Sequence, residues 1–255
     1  KADVIIDSGE PADVESRFEI YEKAQEANPR LTVCTLTPFG LTGPYRSFKM
    51  TDLTHLAMGG VMASCGYDPN DDGLYDTPPI APAMCQAYHI ASEHAVIAIS
   101  AALSFREITG QGDRLDVSVH EAVSTCTEVA LPSYIYNQKV VRRQTGRHAG
   151  LAKTPQWLRR SKDGRFVKAF LFWGGRDVRV ISEMLDDAGI KHDLASEAYR
   201  ALADRAPREA HEHFSELVDV LIASMTAEEV FHKAQAKRLW WASVRYPEEN
   251  MDDPH

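Results

Sequence analysis

Short apolar runs of strand length alternate with longer segments of helical composition in the first part of the chain. Residues 3–7 and 31–36 are two such runs, and residues 13–27 between them form a helical segment that stops at Asn28-Pro29. Residues 114–119 alternate apolar and polar positions, which predicts a third strand. A strand, a helix and a second strand in this order are typical of a parallel sheet, so the pattern predicts an α/β fold.

The longest helical pattern covers residues 83–108. Gly110 and Gly112 follow it and predict where the helix ends. Residues 121–135 predict a further helix that is broken or capped at Pro132. Small side chains at three- and four-residue spacing let the long helix lie close against a sheet or a neighbouring helix. These small residues are Ala87, Ala91, Ala95, Ala98 and Ala102.

The stretch from Thr37 to Gly60 joins the second strand to the next helix. Its glycines and prolines predict an irregular loop, and either Thr51 or Asp52 is expected to cap the helix that follows. Open α/β sheets bind ligands at such an edge, because backbone N–H groups and helix dipoles converge there. Lys49 lies at the end of the loop, but by residue type alone a lysine is more often solvated than bound to a phosphate.

The second half of the chain changes character. Residues 139–168 hold ten Lys or Arg residues against one acid, which indicates either a solvated linker or a segment that contacts an anion or another subunit. A strand over 165–173, helices from Asp177 onward and a capping box at Thr226-Ala-Glu-Glu229 predict a second, smaller domain. The predicted division is a large domain over 1–138, a basic linker over 139–160, a small α/β domain over 161–239 and a return linker over 240–255.

Composition excludes several classes of function. With 44% hydrophobic and 25% charged residues the 255-residue chain is typical of a soluble globular protein, and a net charge of −9 argues against general nucleic-acid binding. No apolar run reaches transmembrane length and there is no signal-peptide pattern, so neither membrane association nor export is expected and a cytoplasmic location is predicted. The chain has no starting methionine, and it is interpreted as an internal section of a longer protein.

Cysteine and histidine patterns predict no metal site. The four cysteines lie far apart without a C-x-x-C pair, so each is expected to be a small buried apolar residue rather than a zinc ligand or half of a disulfide. His55 and His94 lie in apolar helical settings and are expected to be core histidines with satisfied hydrogen bonds. The sequence also lacks a P-loop, a G-x-S-x-G elbow and an H-E-x-x-H motif.

Blocks of residues in a fixed order and spacing run along the whole chain. They include Ala2-Asp-Val-Ile-Ile-Asp7, Phe39-Gly-x-x-Gly-Pro-Tyr45, Arg106-Glu-x-Thr-Gly-Gln-Gly112, Asp116-Val-Ser-Val-x-Glu-Ala122 and Lys162-Asp-Gly164. Together they resemble the class III CoA-transferases, the superfamily of carnitine dehydratase-like proteins and formyl-CoA transferase. The resemblance implies a Rossmann-like large domain, a small α/β domain and two chains interlocked like links with active sites between them. It implies CoA thioesters and carboxylic acids as substrates, without a covalently bound cofactor.

The resemblance also implies site residues. Lys49 lies where formyl-CoA transferase-like members contact CoA, and Ser8, Gly9 and Gly40 are the other expected contacts to the cofactor. Ser8 and Gly9 stand where the family usually has Asn-Phe, and Glu10 replaces an arginine, so the nucleotide cradle is less standard. Asp52 falls on an acidic position near the family's active site, although it is equally well explained as a helix cap.

The largest departure from the family is at Tyr88. The resemblance places the nucleophilic aspartate ten residues before Ala98, where this chain has a tyrosine. That chemistry needs a carboxylate, which forms a mixed anhydride and then an enzyme thioester, and a phenol is mostly protonated at neutral pH and cannot carry the cycle. Glu93 is five residues further on and about 140° around the helix, so it does not simply substitute. The racemase histidine position is Thr51, so racemisation is not supported either.

Three hypotheses follow from the missing aspartate. The first is a CoA-transferase subunit without its own nucleophile, paired with a related subunit that supplies the aspartate, as in the two-subunit benzylsuccinate enzymes. This chain alone would then be inactive, and its expected partner is a related subunit in a heterodimer or heterotetramer, with a homodimer as the alternative assembly. The second is a non-catalytic CoA-binding or scaffold protein. The third is a stand-alone transferase that uses a displaced carboxylate such as Asp52 or Glu93.

Overall fold

The computed structural model describes residues 2–127, 129–171, 175–194, 196, 199 and 208–254. The chain divides into two compact units, residues 1–152 and 153–255. The segment predicted as a basic linker contributes three short strands, two in the first unit and one in the second.

The first unit is built on a three-stranded parallel sheet. Strands β1 (Val4–Ser8), β2 (Thr32–Thr37) and β3 (Arg114–Ser118) lie in the order β1-β2-β3, with Thr35 of β2 between Asp7 and Asp116. The predicted parallel arrangement is therefore confirmed. Leu31, Val33 and Cys34 are buried, as expected for a strand whose two faces are both covered.

The crossover between β1 and β2 consists of two helices rather than the single predicted helix. These are α1 (Pro11–Glu15) and α2 (Phe18–Ala27). Arg17 is the residue before α2, and its guanidinium binds the Asp7 carboxylate with 2.7 Å between Nε and Oδ2. The Tyr21 hydroxyl also donates to Asp7, so the turn between the two helices is tied to the end of β1.

Helix α4 (Gln86–Thr109) packs its alanine face on the sheet. Ala87, Ala91, Ala95 and Ala102 are buried, and Ala95 contacts a small cluster in the sheet. The short α3 (Asp52–Met58) and a 3₁₀ turn (Met62–Ser64) precede α4. Gly110 ends α4 with a φ of +74°, which confirms the predicted stop because glycine adopts this left-handed conformation without a steric penalty.

Helices α5 (Val119–Thr125) and α6 (Ala130–Asn137) replace the predicted helix over 121–135. The prediction of a break at Pro132 was wrong in position, because α5 already ends at Thr125. Pro132 lies in the first turn of α6, where its missing N–H costs no helical hydrogen bond.

Basic residues hold the loop over 65–82 to the hairpin of β4 (Arg142–Gln144) and β5 (Arg147–Gly150). The buried Arg147 side chain pairs with Asp68 at 2.8 Å between Nη2 and Oδ1. Arg143 donates to the carbonyl of Thr77 and lies over the ring of Tyr75. These arginines of the basic segment thus bind groups within their own unit.

Among its described residues, the second unit combines an antiparallel sheet with three helices. The sheet order is β6 (Leu158–Arg160), β7 (Phe166–Ala169) and β8 (Trp241–Ser243). The strand predicted over 165–173 corresponds to β7, which already ends at Ala169. Residues 172 and 173 of the prediction lie outside the described residues. The remaining elements are α7 (Gly175–Asp187), α8 (Arg208–Ala223), α9 (Ala227–Ala236) and a 3₁₀ turn (Pro247–Met251).

The predicted capping box opens α9. The Glu229 side chain accepts from the Thr226 N–H at 2.8 Å, and the Thr226 hydroxyl accepts from the Glu229 N–H at 3.3 Å. This reciprocal pair satisfies two backbone donors at the start of the helix.

The expectation of four buried cysteines was wrong for two of them. Cys34 is buried and Cys65 is half-buried, whereas Cys85 and Cys126 are exposed. Burial raises the pKa of the Cys34 and Cys65 thiols. In the part of the chain that the structure describes, no helix has the length and apolar character needed to span a membrane.

Candidate functional site

A pocket lies at the carboxyl ends of the three parallel strands. Ser8 ends β1, Thr37 ends β2 and Val119 follows β3, and all three line a cavity of about 650 Å³. Parallel strands bring these ends to one edge of the sheet, which is where open α/β sheets bind ligands. The predicted ligand edge therefore coincides with a cavity.

Tyr88 lines this cavity from the first turn of α4. Its side chain is 44% exposed, and Ala91 and Ser92 of the same helix also line the cavity. Ser8 and Gly9 lie across from the helix in the loop after β1. Three residues that were singled out from the sequence, Tyr88, Ser8 and Gly9, thus share one pocket.

Lys49 does not line this pocket. Its side chain is exposed, and the residue of this loop end that lines the cavity is Met50. The role of Lys49 as a CoA contact stays a prediction.

Gly40 supports the loop after β2. It has a φ of +81°, and a Cβ atom there would lie 3.3 Å from Oδ2 of Asp116. The same Asp116 oxygen accepts from the Leu41 N–H at 2.8 Å. The lack of a side chain at Gly40 therefore lets the loop close onto β3.

Asp52 caps a helix, but not its own. Thr51 is the residue that caps α3, and the Thr51 N–H donates to the hydroxyl of Thr54 at 2.7 Å. The Asp52 carboxylate accepts from the Ala87 N–H at 2.8 Å, in the first turn of α4. A carboxylate at a helix N-terminus satisfies a free backbone donor and complements the helix dipole. Asp52 thereby fixes the start of the helix that carries Tyr88.

The acidic residues that line the pocket differ from those proposed as displaced nucleophiles. Glu93 is exposed on α4, and neither Glu93 nor Asp52 lines the cavity. Glu10 and Asp13, at the start of α1, do line it. Sequence reasoning noted Glu10 only as a substitution for the family's arginine and did not consider Asp13. The available signal was their position directly after the first strand.

Aromatic rings surround His55 behind the pocket. The rings of Phe39 and His120 lie 5.8 Å and 6.0 Å from that of His55, and the Tyr88 ring meets it edge-on at 6.5 Å. His55 is fully buried, and its two ring nitrogens have no hydrogen-bond partner among the described residues. The predicted core position is confirmed, whereas the expected hydrogen bonds are not found. His94, in contrast, contacts the carbonyl of Ile90 at 3.0 Å.

Burial keeps His55 uncharged. Desolvation and, secondarily, the neighbouring His120 lower the pKa of the His55 imidazole to about 4, with Asp52 acting in the opposite direction. Within the described residues, no three His, Cys, Asp or Glu side chains are grouped so that they could hold a metal ion.

Comparison with known proteins identifies the family. The chain is 34% identical to succinyl-CoA:(R)-benzylsuccinate CoA-transferase subunit BbsE of Thauera aromatica over 151 residues. This alignment covers 59% of this chain and 35% of that protein. It is 32% identical over 131 residues to formyl-CoA:oxalate CoA-transferase of Streptomyces coelicolor, with 51% and 30% covered. It is 26% identical over 236 residues to the succinyl-CoA–L-malate CoA-transferase beta subunit of Chloroflexus aurantiacus, with 92% and 55% covered. The chain thus spans about a third to about half of these relatives' lengths.

Solved structures share the fold. A CAIB/BAIF family protein from Brucella suis superposes with a TM-score of 0.72 at 20% identity, covering 99% of this chain and 63% of that chain. Rv3272 from M. tuberculosis gives a TM-score of 0.71 at 19% identity, covering 99% and 63%. The predicted α/β fold and the resemblance to class III CoA-transferases are both confirmed. The profile of CoA-transferase family III matches residues 1–255, and the chain belongs to this family.

Proposed function

We propose that this chain is part of a CoA-transferase subunit that lacks its own nucleophile and works with a related subunit that supplies it. The observation that carries the proposal is Tyr88, which lies where the family resemblance places the catalytic aspartate and which lines the pocket at the sheet edge. The two subunits would interlock in the manner of the family, and the acyl-carrying aspartate would come from the partner.

The reaction explains why a carboxylate is needed. A carboxylate attacks the thioester carbonyl of acyl-CoA and releases CoA thiolate, which leaves a mixed anhydride on the enzyme. The thiolate then attacks the enzyme's own carbonyl of the anhydride, so the first acid leaves and an enzyme thioester remains. The acceptor acid repeats the sequence in reverse and departs as its CoA thioester. A phenol forms an aryl ester instead of an anhydride, so CoA has no activated enzyme carbonyl to attack.

Names of related proteins support a two-subunit enzyme. BbsE is described as a subunit, and the malate transferase of Chloroflexus aurantiacus has an alpha and a beta subunit that both match this chain. Two of these enzymes carry succinyl-CoA in their names. We therefore propose succinyl-CoA as the first donor to test, and a dicarboxylic acid as the first acceptor.

The stand-alone alternative is less well supported by the site. Asp52 is engaged with the N-terminus of α4, and Glu93 lies outside the pocket. Glu10 and Asp13 are the acidic side chains in the pocket lining, so they are the positions at which an unexpected adduct would be sought.

Covalent trapping tests the proposal. The protein that contains this chain is purified alone and as a complex with a co-expressed related subunit that has the aspartate, and each sample is incubated with succinyl-CoA and then with hydroxylamine. We expect transfer activity and a hydroxamate on the related subunit in the complex only. Replacing that subunit's aspartate by asparagine should abolish both.

The matched variant in this chain is Tyr88→Phe. It removes the hydroxyl and keeps the ring, so the complex should retain its activity within about threefold. An acyl or hydroxamate adduct on this chain, alone or in the complex, would contradict the proposal. CoA binding without any transfer, with every related subunit tried, would support the scaffold alternative.

A further inference from the structure

The charge of the pocket is opposite to that of an anion site. Glu10 and Asp13 are the charged residues in its described lining, and both are acidic. A phosphate or diphosphate placed there would be repelled by both side chains. A pocket that binds phosphates normally presents Lys or Arg side chains or a row of free backbone N–H groups.

Backbone donors at this edge are already in use. The Gly9 N–H donates to the carbonyl of Leu36 at 3.2 Å, and the Asp13 N–H donates to the carbonyl of Glu10 at 3.0 Å. Pro11, the first residue of α1, has no N–H to offer. Gly9, Pro11 and Asp13 therefore offer no free N–H group that would offset the two acidic side chains.

The rest of the lining is apolar or uncharged. Leu36, Pro38, Met50, Ala91 and Val119 contribute carbon surface to the cavity. Burial of carbon surface from a ligand is the main favourable contribution that such walls make to binding.

Four residues with hydroxyl groups also line the pocket: Ser8, Thr37, Tyr88 and Ser92. Tyr88 adds an aromatic ring and a phenol group. Thr37 also lines the pocket, is 1% exposed, and its hydroxyl has no hydrogen-bond partner within the described residues. An uncharged polar group of a ligand could accept or donate a hydrogen bond at the Tyr88 hydroxyl without meeting a fixed positive charge.

We propose that this pocket binds an uncharged, largely apolar group of a substrate and selects against phosphate and other anions. The inference rests on the proposed function in treating the pocket as a substrate site of the transferase. The phosphates of CoA and the free carboxylates of the acids would accordingly lie elsewhere in the complex. The pocket of this chain would receive an uncharged, carbon-rich portion of a substrate.

Three ligands of similar size and different charge test this selection. The probes are 3-phenylpropanamide, 3-phenylpropanoate and 2-phenylethyl phosphate, and their binding to the protein in its complex is measured by saturation-transfer NMR. We expect the amide to bind most tightly and the phosphate to bind about tenfold more weakly at low salt. In about 0.5 M salt the difference should shrink, because screening weakens the repulsion.

A charge-neutralised variant tests whether Glu10 and Asp13 cause the weaker binding of the phosphate probe. Glu10→Gln with Asp13→Asn should bring the phosphate to within about twofold of the amide. The matched control, Glu15→Gln with Glu19→Gln, removes the same charge from exposed positions outside the pocket lining and should leave the ratio unchanged. Tyr88→Ala should weaken the binding of the amide.

Two outcomes would overturn the inference. One is a phosphate that binds as tightly as the amide or more tightly in the unmodified protein at low salt. The other is an amide that does not bind, or whose binding is unaffected by Tyr88→Ala. Both are equilibrium results that do not depend on which subunit carries the acyl adduct, so they are distinct from a failure of the proposed function.

Discussion

The two units bury their apolar side chains in different ways. In residues 153–255 one continuous cluster includes the fully buried Trp241 and Phe214 together with residues of α7, α8 and α9. In residues 1–152 the buried apolar residues form three smaller clusters, and α4 leaves Ile97 and Ile108 largely exposed at 66% and 85%. The second unit is thus organised around one hydrophobic core. The first combines small cores with individual polar contacts and close backbone approaches.

The largest effect is expected in the single core of the second unit. Trp241→Ala removes a fully buried ring, and the indole N–H bond to the carbonyl of Phe170, so it should lower the free energy of unfolding by about 3–5 kcal/mol. Urea unfolding followed by circular dichroism measures this change. Trp240→Ala is the matched control, since its side chain is 70% exposed, and it should cost less than about 1 kcal/mol. Equal losses for both variants would contradict the assignment of Trp241 to the core.

A close backbone approach in the first unit gives the next largest effect. A Cβ atom at Gly112 would lie 2.1 Å from the carbonyl oxygen of Leu31, so Gly112→Ala must displace the chain next to β2 and should cost about 3 kcal/mol. Gly110→Ala adds a Cβ that meets nothing within 4 Å. It should lower the free energy of unfolding by only about 1 kcal/mol, the cost of the left-handed φ of +74° for alanine. Thermal unfolding of the two variants compares these costs, and a smaller loss at Gly112 would be contrary to the structure.

The buried His55 should make the first unit sensitive to acid. Its pKa is lowered from 6.5 to about 4 by burial, so folding favours the neutral form. The corresponding stability is present above about pH 6.5 and is lost as the pH falls towards 4. Between pH 7.5 and pH 5 the loss from this group should be about 2 kcal/mol.

Comparison of variants isolates the contribution of His55. His55→Phe removes the titrating group and keeps an aromatic ring in the cluster, so its unfolding free energy should fall less between pH 7.5 and pH 5 than that of the unmodified protein. Denaturant unfolding of both proteins at the two pH values measures this difference. The same pH dependence in His55→Phe as in the unmodified protein would exclude His55 as the source.

The smallest effect is expected at a polar contact of the first unit. Asp52→Ala removes the acceptor for the Ala87 N–H at the start of α4 and should cost about 1 kcal/mol. Glu93→Gln, an exposed change further along the same helix, should cost less than about 0.5 kcal/mol. Hydrogen exchange of the first turn of α4 should accelerate in Asp52→Ala only. If exchange there is unchanged, Asp52 does not secure the helix start.

Local patterns in the sequence led to correct predictions wherever the signal acts over a few residues. The alanine spacing located the buried face of α4, Gly110 marked its end, and the Thr226-Glu229 pair marked the start of α9. Prediction was less accurate where a neighbour in space decides the outcome. The helix between β1 and β2 divides next to Arg17, which binds Asp7 ten residues earlier in the chain.

In the candidate site, too, features that depend on neighbouring positions in the sequence could be predicted, and features that depend on neighbours in space could not. The loop at the end of β2 and the departure at Tyr88 could be recognised in the sequence, because order and spacing along the chain carry family membership. The acidic lining from Glu10 and Asp13 could not be recognised, since it depends on which strand ends and helices enclose the cavity. The exposure of Cys85 likewise depends on the turn at the start of α4, and not on the apolar character of cysteine.

The sequence by itself determined the three parallel strands of the first unit, the long helix α4 and membership of CoA-transferase family III. These follow from periodicity, from end signals and from spacing, all of which are properties of the chain read in order. Only the tertiary structure decided that Asp52 caps α4 across 35 residues, that Gly112 lies against Leu31 and that His55 is enclosed by aromatic rings. Such contacts join elements far apart in sequence, and they form only when whole elements pack against one another.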